Sequence, residues 1–401
     1  MAALTKAAMP AAAPVPASPV LATYRQAAPL FVRAAGCRIY DAAGNAYLDF
    51  ASGIGVNALG YADAGVRSAF ERALATGLVH TSNLYRTVPA VELAALLVER
   101  SFADRVFFCN SGAEANEAAF KFARRWARGV GGVAKHEIVA LRGAFHGRLF
   151  GALAATDRRS MQEPFEPLMP GVRFVDVGDI DGLYAAVTAG STAAIIAEPV
   201  QGEGGVRPLP VSFLQVLRDA ADAANALLIF DEVQCGLGRT GHLFAYEAAG
   251  VAPDILTVAK PLAGGLPMGA TLLTDRVAAA VQPGDHATTF GGGPLVASVA
   301  LEVVRRIAAP AFLAGVRRRA ALLAGLLEEL KSLPAVAAVR GVGLLWGIEL
   351  YVPAPPVVHA ALESGLLVTA AGETVVRLLP PLVIADAELE EGIAILREVL
   401  A

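Results

Sequence analysis

Two rhythms of apolar and polar positions divide this chain. Between about residues 65 and 275, short apolar runs alternate with amphipathic helical stretches; the runs are VFFC at 106–109, IVAL at 138–141, FVDV at 174–177, AIIA at 194–197, LLIF at 227–230 and ILTV at 255–258. Continuous apolar runs of this length, spaced by helix-period segments, predict βαβ units around a mostly parallel sheet buried on both faces. Upstream, Gly36 to Asp49 (GCRIYDAAGNAYLD) alternates apolar and polar residues on both sides of Gly44-Asn45, which predicts a hairpin. After GGGP at 291–294 the pattern turns helical to about residue 332, then β-rich through VRGVGLLWGIEL and VVRLLPPL. The expected fold class is α/β, with a large domain over residues 66–295. A smaller α+β domain is expected from the two chain ends, residues 21–65 and 296–401, and the Ala/Pro-rich residues 1–20 are expected to form a flexible arm.

Composition narrows the function classes. The mean hydropathy of +0.52 suggests a membrane protein, but the excess is mostly Ala, and no stretch reaches the apolar length of a span. The first twenty residues lack the basic start and apolar core of a secretory signal, so the cytoplasm is the expected location. A net charge of −4 without a dense Lys/Arg tract argues against nucleic acid as a partner. Cys37, Cys109 and Cys235 are widely separated, the six histidines are dispersed, and no HExxH spacing occurs, so reduced thiols and no catalytic metal are expected.

Polar residues follow the apolar runs at once: Asn110-Ser111, Arg142, Glu198 and Asp231, with Lys260 just beyond ILTV. Ligands of open α/β sheets bind outside the carboxyl ends of the strands, so these residues are expected to share a crevice. In CNSGAEANEAAFKFARRW (109–126) the small residues Ser111-Gly112-Ala113 open a helix whose free N–H groups suit a phosphate. Asp231, behind a buried run, needs a cationic partner such as a protonated pyridine nitrogen, and Gln234 can donate to a ring hydroxyl. Lys260 is placed to form a Schiff base with an aldehyde, and Phe145 to stack on a ring. Each feature alone has a plain alternative: an ordinary capped helix, a turn-capping Asp, a solvent-facing Lys. Together they match the four needs of pyridoxal-5′-phosphate (PLP): a phosphate cradle, a stacking aromatic, a carboxylate and an amine.

The motifs FFCNSGAEANEAAFKFARR, AFHGR, AEPVQGEGGV, IFDEVQCGLGRTG, AKPLAGGLPMGA, TTFGGGPL and AGETVVRLLPPL resemble, in that order, those of the class III (fold-type I) PLP-dependent aminotransferases, nearest to the acetylornithine group. The resemblance runs from about residue 29 to the C-terminus. It implies the fold-type I transferase architecture, with a seven-stranded type of mostly parallel sheet, and PLP as the cofactor. It further implies that Ser111, Gly112 and Ala113 hold the phosphate, Phe145 stacks on the ring, Asp231, Glu232, Val233 and Gln234 address the ring, and Lys260 carries the cofactor. Thr289, with Thr288 beside it, would reach the site of a neighbouring subunit in a homodimer. Arg377 would clamp the α-carboxylate of glutamate, Glu198 would pair with Arg377 when the other substrate is bound, and Arg148 would take the far carboxylate.

On this resemblance the expected reaction is transfer of the amino group of N2-acetylornithine to 2-oxoglutarate, a step of arginine biosynthesis, by a ping-pong mechanism. Rival ω-amino donors are N-succinyl-diaminopimelate, succinylornithine, ornithine and 4-aminobutyrate; an aminomutase or a silent PLP-binding protein stands further off. Gly53, where ornithine aminotransferases tend to carry a tyrosine, favours an acylated substrate, although a glycine also serves a turn. The chain departs from the family pattern at Tyr61–Gly65, where His-x-His-Pro is usual, at Gly293, where Asn is common, and at Arg86, where an aromatic is usual. These departures bear on the substrate and not on the cofactor residues.

Overall fold

A computed structural model describes residues 19–401, so residues 1–18 of the expected N-terminal arm lie outside the described residues. Near the start, β1 (Phe31–Ala35), β2 (Arg38–Asp41) and β3 (Ala46–Asp49) run antiparallel. The expected hairpin is β2–β3, closed by Asp41, whose carboxylate accepts from both the backbone and side-chain N–H of Asn45 at 2.8 Å.

The central sheet is built from β4 (Arg105–Cys109), β5 (Glu137–Leu141), β6 (Val172–Val175) and β7 (Thr192–Ala197). After a short antiparallel pair, β8 (Val200–Gln201) and β9 (Arg207–Pro208), come β10 (Leu227–Asp231), β11 (Ile255–Val258) and β12 (Gly269–Leu273). Its seven strands stand in the order β4-β12-β11-β10-β7-β5-β6, all parallel except β12, which is antiparallel to both neighbours. β12 is the strand that apolar runs alone do not announce. β6 begins and ends two residues before the FVDV run, because its end of the sheet is an edge where Asp176 turns out to solvent.

Alternate residues of the central strands feed two separate cores, as the period of two in a β-strand requires. Val139, Leu141, Ile195, Ala197, Leu228 and Phe230 belong to one core, which the helices Val211–Ala223 and Pro294–Ile307 cover. Ile138, Ala140, Ala194, Ile196, Leu227 and Ile229 face the other, against Ala119, Phe122, Ala123 and Trp126 of the helix Gly112–Gly131. With both faces covered, every residue of β7, β10, β11 and β12 is buried, which is why the first three read as apolar runs.

The C-terminal part forms β13 (Val336–Val342), β14 (Leu345–Leu350), β15 (Leu366–Leu367), β16 (Thr369–Ala370) and β17 (Val375–Leu378). A second sheet has the order β13-β14-β17-β16, while β15 pairs in parallel with β3, completing the sheet β1-β2-β3-β15 from both chain ends. The three cysteines are free and buried. Among the described residues, no helix is long and apolar enough to cross a membrane.

Candidate active site

A cavity of about 420 Å³ opens at the carboxyl ends of β10, β11 and β7, and its wall includes Ser111, Gly112, Ala113, Phe145, Arg148, Glu198, Asp231, Val233, Gln234 and Lys260. Glu198, Asp231 and Lys260 stand at or just past the carboxyl ends of β7, β10 and β11, where ligands of an open sheet bind.

Ser111 is the N-cap of the helix Gly112–Gly131, extended at φ −153°, with its hydroxyl accepting from Glu114 N at 3.2 Å. Glu114 turns back to accept from Asn110 N and Nδ2, both at 2.9 Å, which leaves the first-turn N–H groups beside Gly112 and Ala113 facing the cavity. A Cβ at position 112 would lie 2.5 Å from Val233 Cγ1, so the cradle exists only because residue 112 is glycine.

Asp231 ends β10 and is buried at 3% exposure, with three donors arranged about its carboxylate. Oδ2 accepts from Asn116 Nδ2 and from His146 Nδ1, each at 2.7 Å, and Oδ1 accepts from Val233 N at 3.0 Å. A carboxylate oxygen only accepts, so the proton of His146 sits on Nδ1. Neither Asn116 nor His146 follows an apolar run, and that is why the sequence reading passes over them; His146 does lie inside the AFHGR motif.

Lys260 opens the short turn Lys260–Ala263 just past β11. Burial pushes its amine below the ordinary lysine range, opposed by the charges of Glu203, Asp231 and Glu198, while Arg377 adds to the depression. Glu198 is buried, and its carboxylate accepts from Phe145 N at 2.9 Å and Gly202 N at 3.0 Å. Burial, and then the neighbouring charge of Asp231, lift its pKa to about 7.

Arg377, in the middle of β17, is 1% exposed, and it corrects the expected pairing with Glu198. Its Nη1 pairs with Glu203 and donates to Gln234 Oε1 at 3.1 Å, and its Nε donates to Thr369 Oγ1 at 3.2 Å. Glu198 is engaged instead by backbone N–H groups of two loops, at Phe145 and Gly202, whereas Glu203 lies beyond β8 and faces β17. The sequence does not single out Glu203, because two carboxylates stand in AEPVQGEGGV and spacing does not say which one meets Arg377.

Glu232 also departs from expectation: its oxygens accept from Ala245 N at 2.6 Å and Tyr246 N at 2.8 Å, and it is absent from the cavity wall. Alternation along the chain sends it to the opposite side from Asp231, and burial lifts its pKa to about 8. Arg142 likewise leaves the crevice, lying 3.5 Å from Asp157 and 3.6 Å from Asp176 over a separate groove of about 930 Å³. Arg148 lines the mouth of the cavity without an ion pair among the described residues, its guanidinium 6.0 Å from the centre of the Phe145 ring. Thr288 accepts from Asn110 Nδ2 at 3.1 Å and Thr289 is exposed; neither lines the cavity. Arg86 and Gly293 line a separate cleft nearby.

Position 53 is a turn. Ser52, Gly53, Ile54 and Gly55 all have left-handed φ values, from 42° to 81°, and Val56 just beyond lines the cavity. Asp49 Oδ1 holds the run by accepting from Ala51 N and Ser52 N at 2.8 Å. A left-handed φ of 64° at Gly53 accounts for the glycine on backbone grounds, so its lack of a phenol carries less weight for the substrate than the sequence suggests.

The donor set fits PLP. A helix start with room for a phosphate, a flat aromatic, a buried carboxylate with one oxygen bound only by Val233 N–H, and a desolvated amine share one cavity of suitable size. Comparison with known proteins agrees. A family model described as aminotransferase class-III matches residues 22–400. The mitochondrial acetylornithine aminotransferase of Alnus glutinosa is 50% identical over 386 residues, 95% of this chain and 85% of that protein. The acetylornithine aminotransferase of Methanocaldococcus jannaschii is 46% identical, covering 92% of this chain and 93% of that protein. Among solved structures, an ornithine aminotransferase from Toxoplasma gondii superposes with a TM-score of 0.89 at 31% identity, covering 95% of this chain and 92% of that one. The N-acetylornithine aminotransferase of Stenotrophomonas maltophilia gives a TM-score of 0.82 at 38% identity, over 94% and 96% of the two chains.

Proposed function

The chain is a member of the class-III aminotransferases, which depend on PLP, and on that premise we propose that it moves the terminal amino group of N2-acetylornithine to 2-oxoglutarate. The products are N-acetylglutamate 5-semialdehyde and glutamate.

The observation that carries this reading is the contrast between two arginines: Arg377 is paired with Glu203, while Arg148 at the mouth has no ionic partner among the described residues. N2-acetylornithine brings one carboxylate, and the end that reacts carries none. Arg148 receives the carboxylate, and Glu203 satisfies the inner cation, which would otherwise be buried and unpaired. Glutamate and 2-oxoglutarate bring two carboxylates, so Glu203 must yield Arg377 to the carboxylate beside the reacting carbon. The acetylornithine aminotransferases that the chain resembles support the choice of donor.

When bound, PLP supplies an aldehyde and a ring that accepts the electron pair of a substrate C–H bond. The first-turn N–H groups at Ser111, Gly112 and Ala113 would hold its phosphate, and Phe145 and Val233 would contact the ring. Asp231, through Oδ1, would hold a proton on the ring nitrogen. Gln234, with Oε1 engaged by Arg377, has Nε2 left to donate to the phenolic oxygen. Lys260, whose amine burial keeps below the ordinary lysine range, would attach the cofactor and would serve as the group that takes a proton from the substrate carbon.

The same reading extends to a homodimer in the cytoplasm, with Thr288 and Thr289 at the partner's site. Leu84, Tyr85, Val88 and Phe290 are exposed on segments that the bond from Asn83 Nδ2 to the Thr288 carbonyl, 2.7 Å, ties together, and an apolar surface of that kind suits an interface.

Steady-state kinetics of the PLP-loaded protein test the assignment. N2-acetylornithine with 2-oxoglutarate should give parallel double-reciprocal lines and the highest kcat/KM among N2-acetylornithine, the succinylated donors, ornithine and 4-aminobutyrate. A higher kcat/KM for any other donor overturns it.

A further inference from the structure

Four elements around the cavity meet at one side chain outside the set assigned above. Asn116 stands in the second turn of the helix Gly112–Gly131 and is 1% exposed. Its Nδ2 donates to the His146 carbonyl and to Asp231 Oδ2, both at 2.7 Å, and its Oδ1 accepts from Thr257 Oγ1 at 2.8 Å. Two pure acceptors on one side and a hydroxyl donor on the other fix which end of the amide is nitrogen.

Each partner belongs to a different part of the proposed cofactor site. The helix itself begins at the small-residue cradle, Ser111 to Ala113. His146 follows Phe145, the flat aromatic. Asp231 ends β10, and Thr257 sits beside it in register on β11, three residues before Lys260. One amide therefore ties the cradle, the aromatic, the carboxylate and the lysine strand together. It also chooses between the carboxylate oxygens: with Asn116 and His146 both on Oδ2, only Oδ1, bound by Val233 N–H alone, has a lone pair free for a cation in the cavity.

We propose that Asn116 is a positioning residue that sets Asp231 Oδ1 at a fixed distance from both the phosphate cradle and Lys260. The inference rests on the reading of this cavity as the PLP site. No other residue type of this size meets the same demands. Aspartate would lose both donors and set a second carboxylate against Asp231. Leucine would leave a buried carbonyl and a hydroxyl without a partner and would strip one of the two donors from Asp231 Oδ2.

Asn116→Ala tests it, with Thr257→Val as a milder variant that removes one of the three bonds and leaves both bonds from Nδ2. Three quantities are compared with wild type: the PLP affinity of the apo-protein, the pH midpoint of the visible absorbance of the bound cofactor, and kcat against KM. For Asn116→Ala we expect PLP affinity and kcat each to fall about tenfold or more, KM to move less than about threefold, and the absorbance midpoint to shift. Thr257→Val should move the same quantities in the same direction by a smaller factor. Wild-type PLP affinity, midpoint and kcat in Asn116→Ala overturn the proposal. If that variant does not fold, unchanged PLP affinity and midpoint in Thr257→Val overturn it instead. Failure of the wild-type protein to bind PLP would sink the underlying reading, whereas PLP binding with a different preferred donor would leave this inference standing.

Discussion

The guanidinium of Arg377 is held by the carboxylate of Glu203, five residues beyond the carboxylate that the sequence pointed to. The pairing makes the two glutamates of one loop separable by experiment. Glu203→Gln should lower the KM for glutamate and slow the N2-acetylornithine half-reaction, because Arg377 is then open to carboxylates at all times. Arg377→Ala should lose roughly a hundredfold in kcat/KM for glutamate, the worth of a bidentate charge-assisted contact, and less than about tenfold for N2-acetylornithine. Stopped-flow measurement of the two half-reactions decides it. Equal losses for both substrates would remove the gate from the mechanism.

Glu198 titrates in a different sense. Its pKa is raised to about 7 in the folded protein, from an ordinary 4.5, so between those values the native state binds more protons than the unfolded one. Stability contributed by this group therefore falls as pH rises through that window. Glutamine removes the charge but gives up one of the two backbone bonds that the carboxyl oxygens accept. In the apo-protein, the stability of Glu198→Gln relative to wild type should therefore improve by the order of 1 kcal/mol or more between pH 5 and pH 8. Thermal melts at the two pH values measure the difference, and a gap that is the same at both contradicts the raised pKa.

Lys260 is shifted the other way. Burial lowers its pKa, so the neutral, nucleophilic amine is present at a lower pH than for an exposed lysine. The rate at which apo-protein attaches PLP, followed by visible absorbance, should climb with pH and level off below the ordinary value of 10.5. A tenfold rise per pH unit continuing to about pH 10 would show an unperturbed amine.

Gly112→Ala tests the cradle. The added methyl would lie 2.5 Å from Val233 Cγ1, so either Val233 or the helix start must move. PLP affinity should drop about tenfold or more, with little change in far-ultraviolet circular dichroism. Adding Val233→Ala to the same chain should restore part of that loss, and no restoration would mean that the clash is not the cause.

What the sequence makes legible follows from burial. TAAIIA, LLIFD and ILTV are covered on both faces, so they read as apolar runs, and the residues that end them mark the cavity. GATLL is equally buried, but only its last two residues are large apolar ones, and β12 stays hidden until its pairing with β4 and β11 is seen. Alternation separates the neighbours at a strand end but does not say which of them faces the ligand. Asp231 and Glu232 are adjacent in sequence, yet one lines the cavity and the other holds the backbone of Ala245 and Tyr246. The same limit applies to Arg142, which follows β5 but lies beside Asp157 and Asp176 at the surface.

The parallel pairing of Leu48 and Asp49 with Leu366 and Leu367 bears on how the polypeptide matures. During synthesis the amino-terminal hairpin emerges early and then waits, with one flank open, until nearly all of the remaining chain has been made. Its closure belongs among the last events of folding, since contacts so distant along the chain carry the greatest entropic cost of ring formation.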